Sequence, residues 1–385
     1  MQPAHPARDP LRIMHVVDSL ERGGLERVVT DLAIAQHLGG HAVTVFSIND
    51  SDGLLSELRE AGVRVVMGGK RRSFDLAVLR KLRAVTTDGA IDVVHSHNFV
   101  PNYYSAAAQF AARRKPTLLT TCHDMGTRLS NRKLRLFYRV SLARTQLVAM
   151  VSRQVFDHYI GTGMVSRARA RIVMNGIPVE RFDASAAQRA SARHALGLAD
   201  AAIVIGCVGR LVPVKNHRLL VEVMPALVAG HPGLHVVLIG KGELEQALRA
   251  QVSALGLGEH VRFAGERADV AQLLPALDIF AMPSLSEGLS IALLEACASG
   301  LAIVATDVGG NGEIVTDGST GLLVPSGDAQ ALRIALGDLV ADPARRASLG
   351  AAARDWVGRH ASMSAFSASY DRLYREALGE SVTGG

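Results

Sequence analysis

The hydrophobic pattern of the chain repeats a unit of strand, turn and helix. LRIMHVV (11–17) is a short continuous apolar run, and the apolar positions of GLERVVTDLAIAQHL after it recur at helical spacing. The alternation continues with HAVTVFSI, a helix around Leu54 to Ala61, VRVVM, a helix over 74–85, IDVVHSH, a helix over 102–112, and TLLTTCHD. Short runs rich in Val and Ile, separated by helical segments, predict a parallel sheet covered on both faces. Residues 183–200, DASAAQRASARHALGLAD, read as an Ala-rich polar connector, and a second series starts after it. AIVIGCVGRL, LHVVLIG, VRFAG, DIFAMPS, AIVAT and GLLVP are its strands, and helices over 328–340, 344–358 and 362–378 close the chain. The reading is an α/β chain of two Rossmann-like domains, residues 1–183 and 184–361, with a ligand expected in the cleft between them.

Composition agrees, because 385 residues is long for one core and 37 glycines suit many tight turns after strands. The three cysteines, Cys122, Cys207 and Cys297, are scattered, which implies neither a disulfide framework nor a zinc site. MQPAHPARDP lacks the apolar core of a signal peptide, and no uninterrupted apolar run is long enough to span a bilayer, so a cytoplasmic chain is expected. Residues 1–183 hold 26 Lys and Arg against 16 Asp and Glu, whereas the rest hold 16 against 20. The basic excess concentrates in KRRSFDLAVLRKLR (70–83) and RLSNRKLRLFYRVSLAR (128–144). A basic amphipathic helix suits an anionic membrane surface or an anionic acceptor, and equally a solvated face over a core stripe. Without interleaved aromatics for base stacking, nucleic acid is not an expected partner.

The chemistry centres on residues 282–325. Glu287 ends a Ser-rich loop, Gly288, Leu289, Ser290 and Ile291 lead into an apolar helix, and Glu295 follows eight positions later. A helix starting near Ser290 would offer unpaired N–H groups and the positive end of its dipole to a phosphate, with a carboxylate on either side for hydroxyls. An amphipathic helix that merely carries two acids has the same pattern. Arg210 and Lys215, just past a strand end, could together neutralise a leaving diphosphate, Arg as a fork and Lys as a point charge. Gly23 and Gly24 lie beyond the first strand, where open α/β sheets place ligands, but GGLERV lacks the GxGxxG spacing of a dinucleotide site.

GRLVPVKN, LIGKGELE, DIFAMPS, SEGLSIALLEA and VGGNGEIVTDGSTGLLV, in this order, resemble the retaining family 4 glycosyltransferases of GT-B fold over nearly the whole C-terminal half. RGGLERVV, HSHN, TCHD, the V-S strand at 151 and N-G-I-P at 175 resemble the same family more loosely. The resemblance implies two Rossmann-like domains with parallel sheets facing a central cleft, the last helix (362–385, with Tyr370, Leu373 and Tyr374) returning to the N-terminal domain. It places Arg210 and Lys215 on the donor diphosphate and Glu295 on the ribose. Glu287 falls near the reacting carbon of the sugar, with the backbone of Gly288 to Ile291 on the distal phosphate or sugar. Gly240 falls on the donor side, Gly23 and Gly24 over the donor phosphate, and His123, followed by Asp124, near the bond being broken. His97, read at a strand end facing the cleft, and Asn98 beside it are acceptor candidates, whereas His95 is expected on the sheet side. Leu289 stands where many relatives have an aromatic residue. Asp50-Ser51-Asp52 looks like a metal-binding DxD but lies in a turn-forming loop, and no metal or other cofactor is expected.

The expected activity is metal-independent, retaining transfer of a sugar from a nucleotide-diphosphate sugar, uridine by default, to a hydroxyl. A lipid-linked or saccharide acceptor at an inner membrane face is expected. The alternatives are a nucleotide-sugar epimerase or hydrolase on the same fold, and a non-catalytic nucleotide-sugar-binding protein.

Overall fold

Each series of strands forms one fully parallel sheet whose order reverses beside its first strand. The computed structural model describes residues 9–110, 115–123 and 131–380, and the chain divides into two units, 1–175 with 363–385, and 176–362. In unit 1 the strands are β1 (Arg12–Val17), β2 (Ala42–Ser47), β3 (Arg64–Met67), β4 (Val93–His97), β5 (Thr117–Cys122), β6 (Leu147–Met150) and β7 (Ala170–Ile172). Between them run α1 (Gly24–Leu38), α2 (Leu55–Glu60), α3 (Leu76–Asp88), α4 (Phe99–Ala108), α5 (Arg132–Leu142) and α6 (Arg153–Gly161). The sheet order is β3-β2-β1-β4-β5-β6-β7, so the chain leaves β1 in one direction for β2 and β3, then crosses to β4 on its other side.

Alternation along β1 decides what the two faces of this sheet do. Met14 and Val16 enter a core with Phe46, Val94, Leu118 and residues of α3 and α4. Val17 joins Val29 and Ala33 of α1 on the other face. His15 belongs to that second face. The final helix, Met363–Leu378, packs against α1 and β5 there, burying Phe366, Tyr370, Leu373 and Tyr374.

Unit 2 contains α7 (Ala186–Ala195), β8 (Ile203–Val208), α8 (His217–Gly230), β9 (Leu234–Ile239), α9 (Glu245–Ala254), β10 (Val261–Gly265) and α10 (Val270–Leu273). These are followed by β11 (Ile279–Met282), α11 (Ile291–Ala298), β12 (Ala302–Thr306), α12 (Asn311–Ile314), β13 (Leu322–Val324), α13 (Ala329–Ala341) and α14 (Pro343–His360). The sheet order β10-β9-β8-β11-β12-β13 switches direction between β8 and β11. Its core is built from Val, Ile and Leu of the strands together with α8, α9, α13 and α14.

The stretch read as a connector is in fact partly helical. Ser185 and Gln188 form a capping box at the start of α7, each satisfying the other's backbone N–H. Buried Arg193 then joins Arg189 on the carboxylate of Asp278, at 2.9 and 2.6 Å. Residues 176–183 group with unit 2, where Ile177 bridges Ser362 and Asp183 pairs with Arg354. All three cysteines are buried thiols outside any disulfide, and burial pushes the Cys207 and Cys297 thiols up to about 12. No helix of the described residues is long and apolar enough to cross a membrane.

Candidate functional site

Ligands of open parallel sheets sit at the carboxyl ends of the strands flanking the switch point. In unit 2 these are β8 and β11, hydrogen-bonded neighbours, and they bring together residues 72 apart in sequence. Beyond β8 the chain turns through Gly209 and exposed Arg210 into a 3-10 turn, Pro213–Lys215. Beyond β11 it enters the loop that carries Glu287, and Leu285 N–H donates to Val214 C=O at 2.8 Å, tying the two loops. Lys215 Nζ grips both oxygens of Glu287, at 2.6 and 2.9 Å, and Ser284 Oγ donates to the first at 2.6 Å. Glu287 is only 9% exposed, so its charge needs all three contacts.

Helix α11 begins one residue after Ser290, whose hydroxyl caps the helix by accepting from Leu293 N–H at 3.3 Å. Leu289 and Ile291 are buried, and Glu295 is half-buried on the helix. Gly240, at the end of β9, approaches the β8 loop so closely that a Cβ there would lie 2.0 Å from the carbonyl oxygen of Gly209. Its place is therefore against the turn that carries Arg210.

The brace behind Glu287 comes from a stretch that sequence reasoning quoted without giving it a role. Gly309 has φ +59, and a Cβ there would lie 2.0 Å from the carbonyl oxygen of Glu287. Gly310 N–H donates to Gly288 C=O at 2.8 Å, and Thr306 Oγ1 to Ser284 C=O at 2.6 Å. Gly309→Ala is expected to cost roughly 1–3 kcal/mol from the left-handed backbone and the forced displacement. It should also weaken donor binding at least as much as it lowers stability. Thermal unfolding and nucleotide titration of the same variant check this, and unchanged values for both would remove the brace.

In unit 1 the corresponding switch point lies between β1 and β4. Gly23 is the N-cap of α1 and Gly24 its first residue, with no side-chain cap on the helix end. His97 is the last residue of β4, and His123 follows β5. The two rings meet, His97 Nδ1 to His123 Nε2 at 3.0 Å, and His97 Nε2 lies 3.1 Å from His15 Nδ1. His97 is 2% exposed and so is a buried link, not an open residue at the strand end. His95 was expected on a different side from His97. Residues two apart on a strand share a face, and His95 lies with His97 and His15 at ring separations of 4.1 and 5.2 Å. Burial drives all four rings towards neutrality, lowering His15 to about 4, His123 to about 3, and His95 and His97 well below their ordinary value.

Asn98 holds φ +65 and ψ −174, a conformation costly for any side-chain-bearing residue and found chiefly at functional sites. The geometry uses it as a latch. Its N–H donates to Thr121 C=O, and its Oδ1 accepts from the N–H of His123, both at 2.8 Å. Asp124 lies outside the described residues. Sequence reasoning missed Ser284, His15 and Gln36, and gave Tyr370 and Tyr374 only a place in the last helix.

Comparison with known proteins adds the decisive observation. The Glycosyltransferase Family 4 model matches residues 22–181 and the Glycosyl transferases group 1 model residues 188–356. A D-inositol 3-phosphate glycosyltransferase of Saccharomonospora viridis is 31% identical over 80% of this chain and 74% of its own length. The chain belongs to the family 4 glycosyltransferases. The chain is also similar to a GDP-mannose-dependent alpha-(1-6)-phosphatidylinositol monomannoside mannosyltransferase of Mycolicibacterium smegmatis. That protein is 39% identical over 47% of this chain, so the chain matches about half the length of that curated relative. The crystal structure of Anabaena HepE in complex with UDP-glucose superposes with TM-score 0.85 at 22% identity, over 94% of this chain and 99% of that one. The fold is therefore GT-B, two Rossmann-like domains with parallel sheets of seven and six strands.

Proposed function

We propose that the chain transfers a sugar from a nucleoside diphosphate sugar to a hydroxyl, with retention of anomeric configuration and without a metal. The observation that carries this reading is the Lys215–Glu287–Ser284 cluster beside the amino end of α11, at the switch point of unit 2. A cation and a helix end there suit a diphosphate, and a carboxylate held beside them suits sugar hydroxyls. Arg210 adds a second cation from the same turn as Lys215, and Glu295 takes the ribose hydroxyls. The charge that develops on the departing diphosphate is matched by groups already in place, so little reorganisation is needed at the moment of bond breaking.

A relative named for GDP-mannose supports a guanosine donor ahead of the uridine default. The Mycolicibacterium relative is named for GDP-mannose, whereas uridine is supported by a structure that shares 22% identity. GDP-mannose is therefore the first donor to test and UDP-glucose the second. The same relative is named for a phosphatidylinositol mannoside acceptor, which favours a lipid-linked acceptor here.

Helix α5 supports a membrane-side acceptor independently. Leu136, Phe137 and Val140 are each 63–64% exposed on one short helix, among exposed Lys133, Arg135 and Arg139. A solvated face over a core stripe would not leave those three apolar side chains in water. Bound to anionic lipid, each cation would contribute about 1 kcal/mol, and the apolar side chains would enter the headgroup boundary. Incubation with GDP-mannose or UDP-glucose, with and without bacterial lipid extract, should give transfer only with extract. NMR of the product then reads its anomeric configuration. The protein should pellet with anionic vesicles at low salt and Leu136→Glu/Phe137→Glu should not. No sugar transfer from any nucleotide-sugar donor would reject the enzyme reading, and vesicle binding unaffected by the double substitution would reject the membrane face.

A further inference from the structure

Unit 1 carries a continuous chain of polar side chains that begins at part-buried His123, runs through buried groups and ends at Tyr370. His123 Nε2 meets His97 Nδ1 at 3.0 Å, His97 Nε2 meets His15 Nδ1 at 3.1 Å, and His15 Nε2 meets Gln36 Oε1 at 2.8 Å. From the other end of the amide, Gln36 Nε2 donates to Tyr374 OH at 3.3 Å. Tyr374 OH then meets His95 Nδ1 at 2.8 Å, His95 Nε2 meets Thr121 Oγ1 at 2.7 Å, and Thr121 Oγ1 meets Tyr370 OH at 2.7 Å. Register explains how three strands supply it. His15 pairs with His95 across β1 and β4, and His97 with Thr121 across β4 and β5.

Every link requires one donor and one acceptor, and each neutral imidazole has a single N–H. Only the amide has chemically distinct ends, so its orientation sets the direction of the links through His15 and His97 to His123. Gln36 Oε1 can only accept, which puts the His15 proton on Nε2 and leaves His15 Nδ1 an acceptor. His97 must then donate from Nε2 and accept at Nδ1, and His123 must donate from Nε2. On the other branch Tyr374 accepts from the amide and keeps its own proton to donate to His95 Nδ1. His95 donates from Nε2 to Thr121, and Thr121 donates to Tyr370. With Gln36 Oε1 towards His15 and Nε2 towards Tyr374, as the structure orients the amide, this arrangement satisfies all the groups.

We infer that Gln36, acting through His15 and His97, fixes His123 in the tautomer protonated at Nε2, so that His123 Nδ1 is held out as a bare proton acceptor. Gln36, His15 and His97 are thus positioning residues for His123. What His123 accepts from, a hydroxyl of the sugar donor, rests on the function proposed above, whereas the tautomer does not. Among the described residues His123 Nδ1 has no partner, which leaves it for a ligand. A hydroxyl of a bound sugar could donate to it, but a carbonyl or phosphate oxygen could not, and that is a selection rule for what may bind there. A protonated His123 would lose this property, and burial prevents it by lowering the ring to about 3.

The nitrogens of His15, His95 and His97 also lie close enough to suggest a metal, with ligand atoms within 4.8 Å of one another. All six of those nitrogens are already matched in the hydrogen-bond chain, and a metal would have to break it.

Long-range proton–nitrogen correlation spectra of the full chain, labelled with nitrogen-15 in histidine, report the tautomer of each ring, and His123→Gln identifies its signals. The expected result is a single tautomer of His123 with the proton on Nε2. Gln36→Leu removes the polar amide, and Tyr374→Phe removes the partner of its nitrogen while keeping the ring. Both should replace the single pattern with one averaged over two tautomers. A His123 proton on Nδ1 in the unsubstituted protein would overturn the inference, as would a His123 pattern unchanged in both variants. Zn2+ that shifts His15, His95 and His97 together would overturn it too, in favour of a metal site. The spectra need neither donor nor acceptor, so a failure to find sugar transfer would count against the proposed function and leave the tautomer assignment to be judged separately.

Discussion

Lys215→Ala is expected to lower the rate of sugar transfer about 10²-fold to 10³-fold, and Glu287→Ala to do the same. The estimate follows from what is lost when one preorganised group facing developing charge is removed. The difficulty is that the two side chains also hold each other. Lys215 is 22% and Glu287 8% exposed at the side chain, so either single substitution strands a largely buried partner. Removing one member of a fully buried pair costs roughly 3–5 kcal/mol, and the remaining access of Lys215 to water reduces that to about 2 kcal/mol. A slow variant could therefore be slow because its loop has moved. The double variant Lys215→Ala/Glu287→Ala separates the two explanations. With neither charge left to strand, its stability should recover part of the loss, giving a coupling of about 1 kcal/mol or more in a double-mutant cycle. Its transfer rate should stay at the level of the singles or below. Unfolding midpoints and initial rates on the same four proteins decide it. If the double variant regains rate along with stability, the pair is structural and the donor is gripped elsewhere.

The contrast between the two halves shows what a sequence can disclose about such a site. In unit 2 much of the site is local. Glu287, Ser290 and the start of α11 lie within a few residues, and a strand followed by a glycine turn announces the place of Arg210. What could not be read was the contact between Lys215 and Glu287, because it depends on β8 and β11 being neighbours across a reversed strand order. In unit 1 the balance is the other way round. His15, His95 and His97 look like occasional polar residues in apolar strands. Gln36 lies within a helix whose other buried positions are mostly apolar, and Tyr374 is 338 residues further on.

One signal was available and was not used. His95 and His97 are two apart on a strand and must share a face, so a reading that sends one to the sheet side and the other to a cleft contradicts the alternation it relies on. A second was the spacing of Ser185 and Gln188, a helix start inside a stretch read as a connector. The strands themselves were the easy part, because continuous Val and Ile runs are what a sheet buried on both faces requires.

Unit 1 is expected to lose stability as the pH falls from about 6.5 towards 4, a loss that starts well above the range in which its carboxylates protonate. The sign follows from the direction of the shifts. His15 is lowered to about 4, His123 to about 3, and His95 and His97 lie well below their ordinary value, each chiefly through burial. In the unfolded chain the same rings titrate near 6.5. Above that pH both states are neutral and the stability is whole. Below it the unfolded chain takes up protons that the folded chain refuses, and stability falls until the pH reaches the folded values. His15 alone accounts for about 3 kcal/mol across the window, a large part of the 5–15 kcal/mol typical of a domain. The rings do not add independently, since a charge on one opposes a charge on the next. His217 of unit 2 is also lowered to about 4, but it stands outside the cluster and unit 2 should respond less steeply. Urea unfolding between pH 7.5 and 5, followed by a probe in each unit, measures the slope. Each ring contributes up to about 1.4 kcal/mol per pH unit, so the unit 1 slope should exceed that of a single group. Replacing His15 with Gln, which can still accept from His97 and bond to Gln36, should reduce the slope by about one proton. A unit 1 midpoint that stays level over this range would mean that the folded rings charge freely, and the buried neutral chain from His123 to Gln36 would have to be abandoned.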